Sequence, residues 1–370
     1  MKRKCRALAG LMMCMVLLVS CAQPEPPAEI VIGAAWPFGV DSTGQFEKGI
    51  DLAVLELNAA EGIGGREIRL LKKDDGSEVV KGLAAARELV ENRDVLAVIG
   101  HQNSYISIPA SAVYEQGGVT MLSPASTAPE LTQNGYRFVF RNIPSDDEIA
   151  KRLVEYAAGQ GLRRMVIYYS GDSYGTGLAE SLEDQAAAQG MEIVDRTSFY
   201  AGEQELRRLF ERWQAFQFDG VFLASSVAEG VQFILDAKAV GISCPFLAGN
   251  TFDSAQLTAV GGMAVEGMIV GSVFDPGSDK EKVRRFVAAF QDAYGEIPGS
   301  RAALGYDAVN MLAAAVERSG GQSREEVAAA LRTLGVWTGV CGVHELSDTG
   351  DDQGDLVMIK QVRNGSLVAG

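Results

Sequence analysis

The sequence predicts an α/β protein of two doubly wound, Rossmann-like lobes with parallel sheets. Three observations carry that expectation. From Ile30 onward, short β-rich runs alternate with helical periods, the pattern of parallel strands joined by crossover helices. The alternation starts afresh at Phe138 (FVFRN). With 370 residues the chain is long enough for two units that each bury a core.

The first residues are different in kind. Lys2, Arg3, Lys4 and Arg6 precede an apolar stretch, Ala7 to Val19, that contains no acid. It is shorter than the about 20 residues a bilayer span needs, so residues 1–20 read as an export signal. Leu18-Val19-Ser20-Cys21 matches the bacterial lipobox, in which the Cys becomes the lipid-bearing N-terminus. Residues 21–29 then form a Pro-rich, extended linker.

IVIGAAW is the first strand, and Phe46, Ile50, Ala53 and Leu57 recur behind it at helical spacing. EIRLLKKDD, VLAVIG and VTMLSP follow as strands, with VVKGLAAARELVEN and IPASAVYEQGG as helices between them. After FVFRN, Ser145 and Glu148 have the spacing of a capping box for SDDEIAKRLVEYAAGQG, which Gly159 or Gly161 ends. RMVIYYS, EIVDRTSFY, GVFLASS, PFLAGN and MIVGSVF are the second set of strands, with EQELRRLFERWQAFQ and VAEGVQFILDAKAVG among their helices. Beyond Asp275 the pattern is mainly helical, and a hairpin with an Asn364-Gly365 turn closes the chain. Two lobes with more than one crossing between them follow.

Charge and cysteine usage narrow the partners. Loss of the four basic residues in 1–20, with no acids, takes the formal charge from −15 to −19. An acidic chain repels nucleic acid and anionic headgroups, so neither is an expected partner. Cys5 and Cys14 leave with the signal and Cys21 takes lipid. Cys244 and Cys341 read as two buried thiols, since spacing alone implies no disulfide.

Open parallel sheets bind ligands at the carboxyl ends of their strands. Those ends carry Trp36 and Phe38; His101, Asn103 and Ser104; Ser123 to Thr127; Asp172 and Tyr174; Ser225 and Ser226; and Asn250. The set is rich in hydroxyls and rings and poor in charge, which suits a small ligand held by neutral donors. Catalysis is poorly supported. The mature chain has only His101 and His344, no GxSxG elbow, and no acid identifiable near His101 to orient its ring. No His/Cys cluster has metal-ligand spacing, so neither metal nor cofactor is expected. The acidic run Asp348 to Asp355 lacks the order of a calcium loop and reads as a solvated turn. Gly62–Gly65 and Gly175–Gly177 complete no nucleotide motif.

GIGGREIRLLKKDD, AVIGHQNSYISIPAS, GGVTMLSPASTAPELTQNGYRFVFR, YGTGLAES, GYDAVNMLAAAVERSG and the closing hairpin resemble the branched-chain amino-acid substrate-binding proteins of ABC transporters, the leucine-binding family of type I periplasmic binding proteins. The resemblance spans nearly all of the mature chain. It implies residues 30–142 with 275–337 as lobe I and 143–274 with 338–370 as lobe II, joined by a multi-crossing hinge. Ser104 would donate its hydroxyl to a ligand carboxylate, Thr127 its hydroxyl and backbone N–H, and Ala125 backbone contacts. Tyr174 would cover the ligand; Asn103, from its strand-end position, is a further ligand candidate. The second lobe departs from the pattern: members place Asp or Glu where Asn250 stands, and some a Tyr where Ser226 falls. Asp253 and Asp172 are candidates to balance an ammonium in its place, Asp253 also being a candidate helix cap. The shortened first loop, WPFGVDSTGQFEKG, is expected to bring Trp36 and Phe38 to the cleft rim. The resemblance implies a lipid-anchored, extracytoplasmic protein that presents a small carboxylate ligand, an amino acid or a relative, to an ABC permease. A sensory protein of the same fold, taking an aromatic acid or amide, is the alternative.

Overall fold

The computed structural model describes residues 29–370; the expected export signal, the lipidation site Cys21 and the linker up to residue 28 lie outside the described residues. The first sheet contains β1 (Glu29–Trp36), β2 (Glu67–Asp74), β3 (Val95–Gly100), β4 (Thr120–Ser123) and β5 (Val139–Arg141). Its order is β2-β1-β3-β4-β5, with every neighbouring pair parallel. The intervening helices are α1 (Gln45–Ala59), α2 (Val79–Glu91), α3 (Ser104–Gly117) and α4 (Glu130–Gln133).

Strand β1 shows why both faces are covered. Ile30, Ile32 and Ala34 alternate with Val31 and Ala35, and the two sets enter different cores. The first packs with Phe46, Ile50 and Ala53 of α1, the second with Ala86 and Leu89 of α2 and Ala110 and Tyr114 of α3. A side-chain period of two with helices on both sides demands apolar residues at nearly every position. Each fully buried aliphatic side chain contributes about 1.5–3 kcal/mol.

The second sheet repeats the plan. It holds α5 (Asp146–Gly159), β6 (Arg164–Tyr169), α6 (Ser173–Ala188), β7 (Glu192–Thr197), α7 (Glu203–Ala215), β8 (Gly220–Ala224), α8 (Val227–Ala239), β9 (Phe246–Ala248), α9 (Ala255–Gly261) and β10 (Ile269–Ser272). The strand order β7-β6-β8-β9-β10 reproduces that of the first sheet. Met165 and Ile167 face α5 and α6, while Val166 and Tyr168 face α7 and α8.

The chain then returns. Helices α10 (Glu281–Tyr294), α11 (Ser300–Ser319) and α12 (Arg324–Arg332) precede a small antiparallel pair, β11 (Val336–Thr338) and β12 (Val343–Glu345). Val309, Leu312, Val327 and Leu331 join the first lobe's core beside Ile30 and Ile32. The hairpin of β13 (Met358–Arg363) and β14 (Ser366–Ala369) extends the second sheet antiparallel to β10. Its turn places Asn364 and Gly365 at positive φ, 53° and 74°, the conformation for which Asn-Gly is selected.

Three connections cross between the sheets: β5 to α5, β10 to α10, and α12 to β13. Ile143, Phe274, Val340 and Leu356 from these crossings pack together with Phe286 and Ala302. Residues 338–352, placed with lobe II by the expected division, also make contacts to the first lobe. Leu346 packs on the first lobe's core, and Arg141 N–H donates to the Gly350 carbonyl at 3.0 Å. The acidic run is only in part a solvated turn: Asp348 and Asp355 are exposed, but its middle is not. Asp351 pairs with buried Arg141 at 2.6 Å and Asp352 with buried His344 at 2.5 Å. Arg141 is far away in sequence and His344 lies on the small antiparallel pair before the run, so neither pairing is visible in the run itself.

Two local expectations are also corrected. Ser145 occupies the N-cap of α5 but its side chain makes no cap hydrogen bond. Helix α3 begins at Ser104, ahead of the predicted Ile108, with Pro109 inside it. That start makes Ser104 a first-turn residue, whose backbone N–H has no partner within the helix.

Candidate functional site

The carboxyl ends of the two sheets face one another across a cleft of about 320 Å³. Asn103, Ser104 and Ala125 line it from the first lobe, and Tyr174, Ser226 and Asn250 from the second. Thr127 is fully buried and Trp36 is 1% exposed.

The first-lobe wall is a rigid hydroxyl network. Ser126 Oγ lies 2.5 Å from Ser107 Oγ, and Ser126 N–H donates to Ser123 Oγ at 3.1 Å. The Arg141 guanidinium donates to the carbonyls of Thr127 and Ala128, at 2.8 and 3.0 Å, and to Thr132 Oγ1 at 2.7 Å. Ser123, Ser126 and Thr132 therefore shape the loop, while Thr127 Oγ1 has no aligned protein partner. Burying a hydroxyl without a partner is costly; the Asp146 carboxylate is within reach of this one, and its loop neighbour Ala125 lines the cleft. Asn103 also lines the cleft, but its amide donates to Ser77 Oγ at 3.1 Å.

His101 buttresses this wall from behind. Its Nδ1 is 2.7 Å from Asp75 Oδ2 and its Nε2 is 3.2 Å from the Tyr114 hydroxyl, with both His101 and Asp75 fully buried. The orienting acid thus exists, supplied from just past the end of β2, on the far side of β1 from β3. The far nitrogen nevertheless meets a tyrosine rather than Ser104, so no serine nucleophile is activated. Ser107 Oγ and Ser126 Oγ lie 3.3 Å from the His101 carbonyl, which ties the buttress to the seat.

The second-lobe wall is different. Tyr174 OH is 3.1 Å from Thr251 Oγ1, and it approaches Gly249 so closely that a Cβ there would lie 2.5 Å from the phenol oxygen. Glycine at 249 is what lets the ring lie against the Asn250 segment. Asn250 Oδ1 is buried with no partner. Ser226 is a helix cap: its hydroxyl accepts from Glu229 N–H at 3.3 Å while the Glu229 carboxylate accepts from the Ser226 hydroxyl at 2.7 Å. Asp172 caps α6, accepting from Gly175 N–H at 2.8 Å. Asp253 is held by Lys360 at 3.0 Å and by the hydroxyls of Ser272 and Ser300, so its charge is already balanced. Helix α9 is capped instead by Ser254.

The acid that the sequence reading missed is Asp146, the first residue of α5. It is fully buried, and neither carboxylate oxygen has an aligned hydrogen-bond partner. Its backbone N–H donates to the Thr127 carbonyl at 2.8 Å, which sets it directly behind the first-lobe seat. Burial pushes the carboxyl up to about 7, against the opposing pull of Thr127 and Arg141. The charge of Asp146 also raises the Tyr174 phenol, after burial itself. Three acids in a row at a helix start read as complements to the helix dipole, so the sequence held no signal that one of them turns inward.

Trp36 does not reach the rim. It stacks on Phe46 at 3.8 Å between ring centres, and its Nε1 donates to Asp41 Oδ2 at 3.1 Å. An apolar ring at the end of a buried strand lowers its free energy by joining the core, and Asp41 takes its place at the cleft.

Two lobes of identical strand order, hinged by three crossings around a cleft with unpaired hydrogen-bonding groups, define a two-lobed small-ligand binder of the type I periplasmic class. Comparison with known proteins agrees: the family model described as periplasmic binding protein matches residues 32–364, and the chain belongs to that family. It is 30% identical over 361 residues to the leucine-specific-binding protein of Salmonella typhimurium, covering 96% of this chain and 95% of that protein. An ABC transporter substrate-binding protein from Desulfitobacterium hafniense, solved in complex with Leu, is 49% identical; the match covers 92% of this chain and all of that one, with a TM-score of 0.86. A leucine-binding protein from Thermotoga maritima shares 27% identity over 92% of this chain and 97% of its own, with a TM-score of 0.84. These relatives are solute-binding proteins of the branched-chain amino-acid transport type.

Proposed function

We propose that this chain is a lipid-anchored, extracytoplasmic solute-binding protein that captures a small α-amino acid between its lobes and delivers it to an ABC permease, performing no chemistry of its own. One observation carries the reading: Asn250 Oδ1 at the cleft, and Thr127 Oγ1 and the Asp146 carboxylate in the wall behind it, are buried without aligned partners. Ser104, Thr127 and the backbone at Ala125 suit a carboxylate, because neutral donors form charge-assisted hydrogen bonds without a buried counter-charge. Asp146 and Asn250 supply an anion and a neutral acceptor for the ammonium. Similarity to a relative solved with Leu supports an amino acid over an aromatic acid, which has no ammonium for Asp146, and Trp36 is not available to stack on a ring. Closure about the three-stranded hinge would bring Tyr174 over the ligand.

Calorimetric titration of the purified protein with the common L-amino acids and with benzoate tests this directly. Saturable binding of an amino acid is expected; binding of benzoate alone would refute the reading. For the anchor, Cys21→Ala should move the protein from the membrane fraction to the soluble one, and an unchanged distribution would remove the lipid from the account.

A further inference from the structure

Arg301, in the first turn of α11, lines the cleft and is only partly buried. Among the described residues its guanidinium makes no hydrogen bond and no ion pair within 4.0 Å. Its nearest anion is Asp41, whose oxygens are engaged: Oδ2 accepts from Trp36 Nε1, and Oδ1 from the Thr43 N–H and hydroxyl, at 3.1 and 2.7 Å. Burial pulls the Arg301 guanidinium below its ordinary pKa, and the Asp41 charge only partly restores it. Across the first-lobe wall, Gln102 also lines the cleft, with a buried side-chain oxygen that has no partner. The cleft thus offers a planar cationic donor and an amide acceptor, neither needed to hold the fold. An aliphatic ligand side chain closing over them would strip water from Arg301 and leave Gln102 Oε1 unpaired, returning nothing to either.

We infer that the protein selects an α-amino acid whose side chain ends in a carbonyl oxygen, an amide or a second carboxylate, with Arg301 as the residue that reads it. This rests on the amino-acid-binding reading above and adds the side chain to it. Arginine's fixed fork suits a planar sp² oxygen pair or a carbonyl. An amide would in addition place its N–H₂ on Gln102 Oε1, which a carboxylate cannot do.

The test is calorimetric titration of the wild-type protein with L-glutamine, L-glutamate and L-leucine. Glutamine or glutamate should bind about tenfold or more tighter than leucine, the tighter of the two deciding between amide and carboxylate. Arg301→Leu should abolish that preference and Arg301→Lys should retain part of it. Should Arg301→Leu not fold, Gln102→Leu, on a different element, should shift the ranking toward leucine. Leucine binding as tightly as both polar ligands, or an unchanged ranking in folded Arg301→Leu, overturns the inference and leaves the amino-acid reading standing. Failure of all three and of every other amino acid overturns that reading, and the inference with it.

Discussion

The two walls of the cleft are built on opposite principles. On the first-lobe side, a network gathered from several elements holds the loop: Ser123, Ser126 and Thr132 are tied to one another, to Ser107 and to Arg141, and Thr127 Oγ1 is left without an aligned partner. On the second-lobe side, conspicuous polar residues are tied to the fold. Ser226 and Asp172 cap helices, and Asp253 answers Lys360. The unpartnered groups there are Asn250 Oδ1 and, at the lobe junction, Asp146. A polar residue at a strand end is therefore a site candidate only after its local hydrogen bonds have been counted.

Substitutions can break this contrast in graded steps. Arg141 is fully buried and holds the loop carbonyls and Asp351. Arg141→Ala should cost about 3–5 kcal/mol of folding stability, read as a lowered denaturation midpoint; a small change would mean that the first-lobe wall does not depend on it. Asp146→Asn should weaken amino-acid binding by about 2–4 kcal/mol while the protein remains folded. Wild-type affinity should fall as pH drops below about 7, because the unliganded carboxyl holds a proton there and an ammonium pairs only with its ionised form. The same group makes the ligand-free protein lose stability as pH rises from about 4 to about 7, since the unfolded chain releases its proton first. In Asp146→Asn both dependences should disappear, and a persistent pH slope in affinity would assign the ammonium site elsewhere.

Thr127→Ala should weaken binding by about 1.5–3 kcal/mol if its hydroxyl meets a carboxylate; an unchanged Kd would dismantle the first-lobe seat. Ser226→Ala is the smallest and sharpest comparison. It should remove about 1 kcal/mol of stability through loss of the cap and leave Kd unaltered, whereas a lost affinity would return Ser226 to the ligand. At the hinge, burial pulls the His344 imidazolium down, but Asp307 and Asp352 outweigh it and push it up to about 9. Its contribution is therefore complete below about 6.5 and lost as pH rises through about 9. His344→Gln should flatten that loss in thermal melts.

The fold was legible because its causes are local and periodic. IVIGAAW alternates between two buried faces, and the same grammar recurs from Phe138 onward. The hairpin turn followed from Asn364-Gly365 for the same reason. Six of the eight expected ligand residues, Asn103, Ser104, Ala125, Tyr174, Ser226 and Asn250, come to the cleft because strand-end position is itself a local property.

What only the folded molecule decided is which of those groups is free. Asp75 reaches His101 across 26 residues, and Asp352 reaches His344 across the edge of a small antiparallel pair. The Asp253 charge is balanced from 107 residues away by Lys360. Trp36 chose the core over the cleft, and Asp146 turned inward from a helix start that looks like any other acidic one. Periodicity places a side chain on a face, because backbone geometry repeats; its hydrogen-bond partner comes from wherever the chain returns. Whether Thr127, Asp146 or Arg301 faces a ligand is thus a property of tertiary packing.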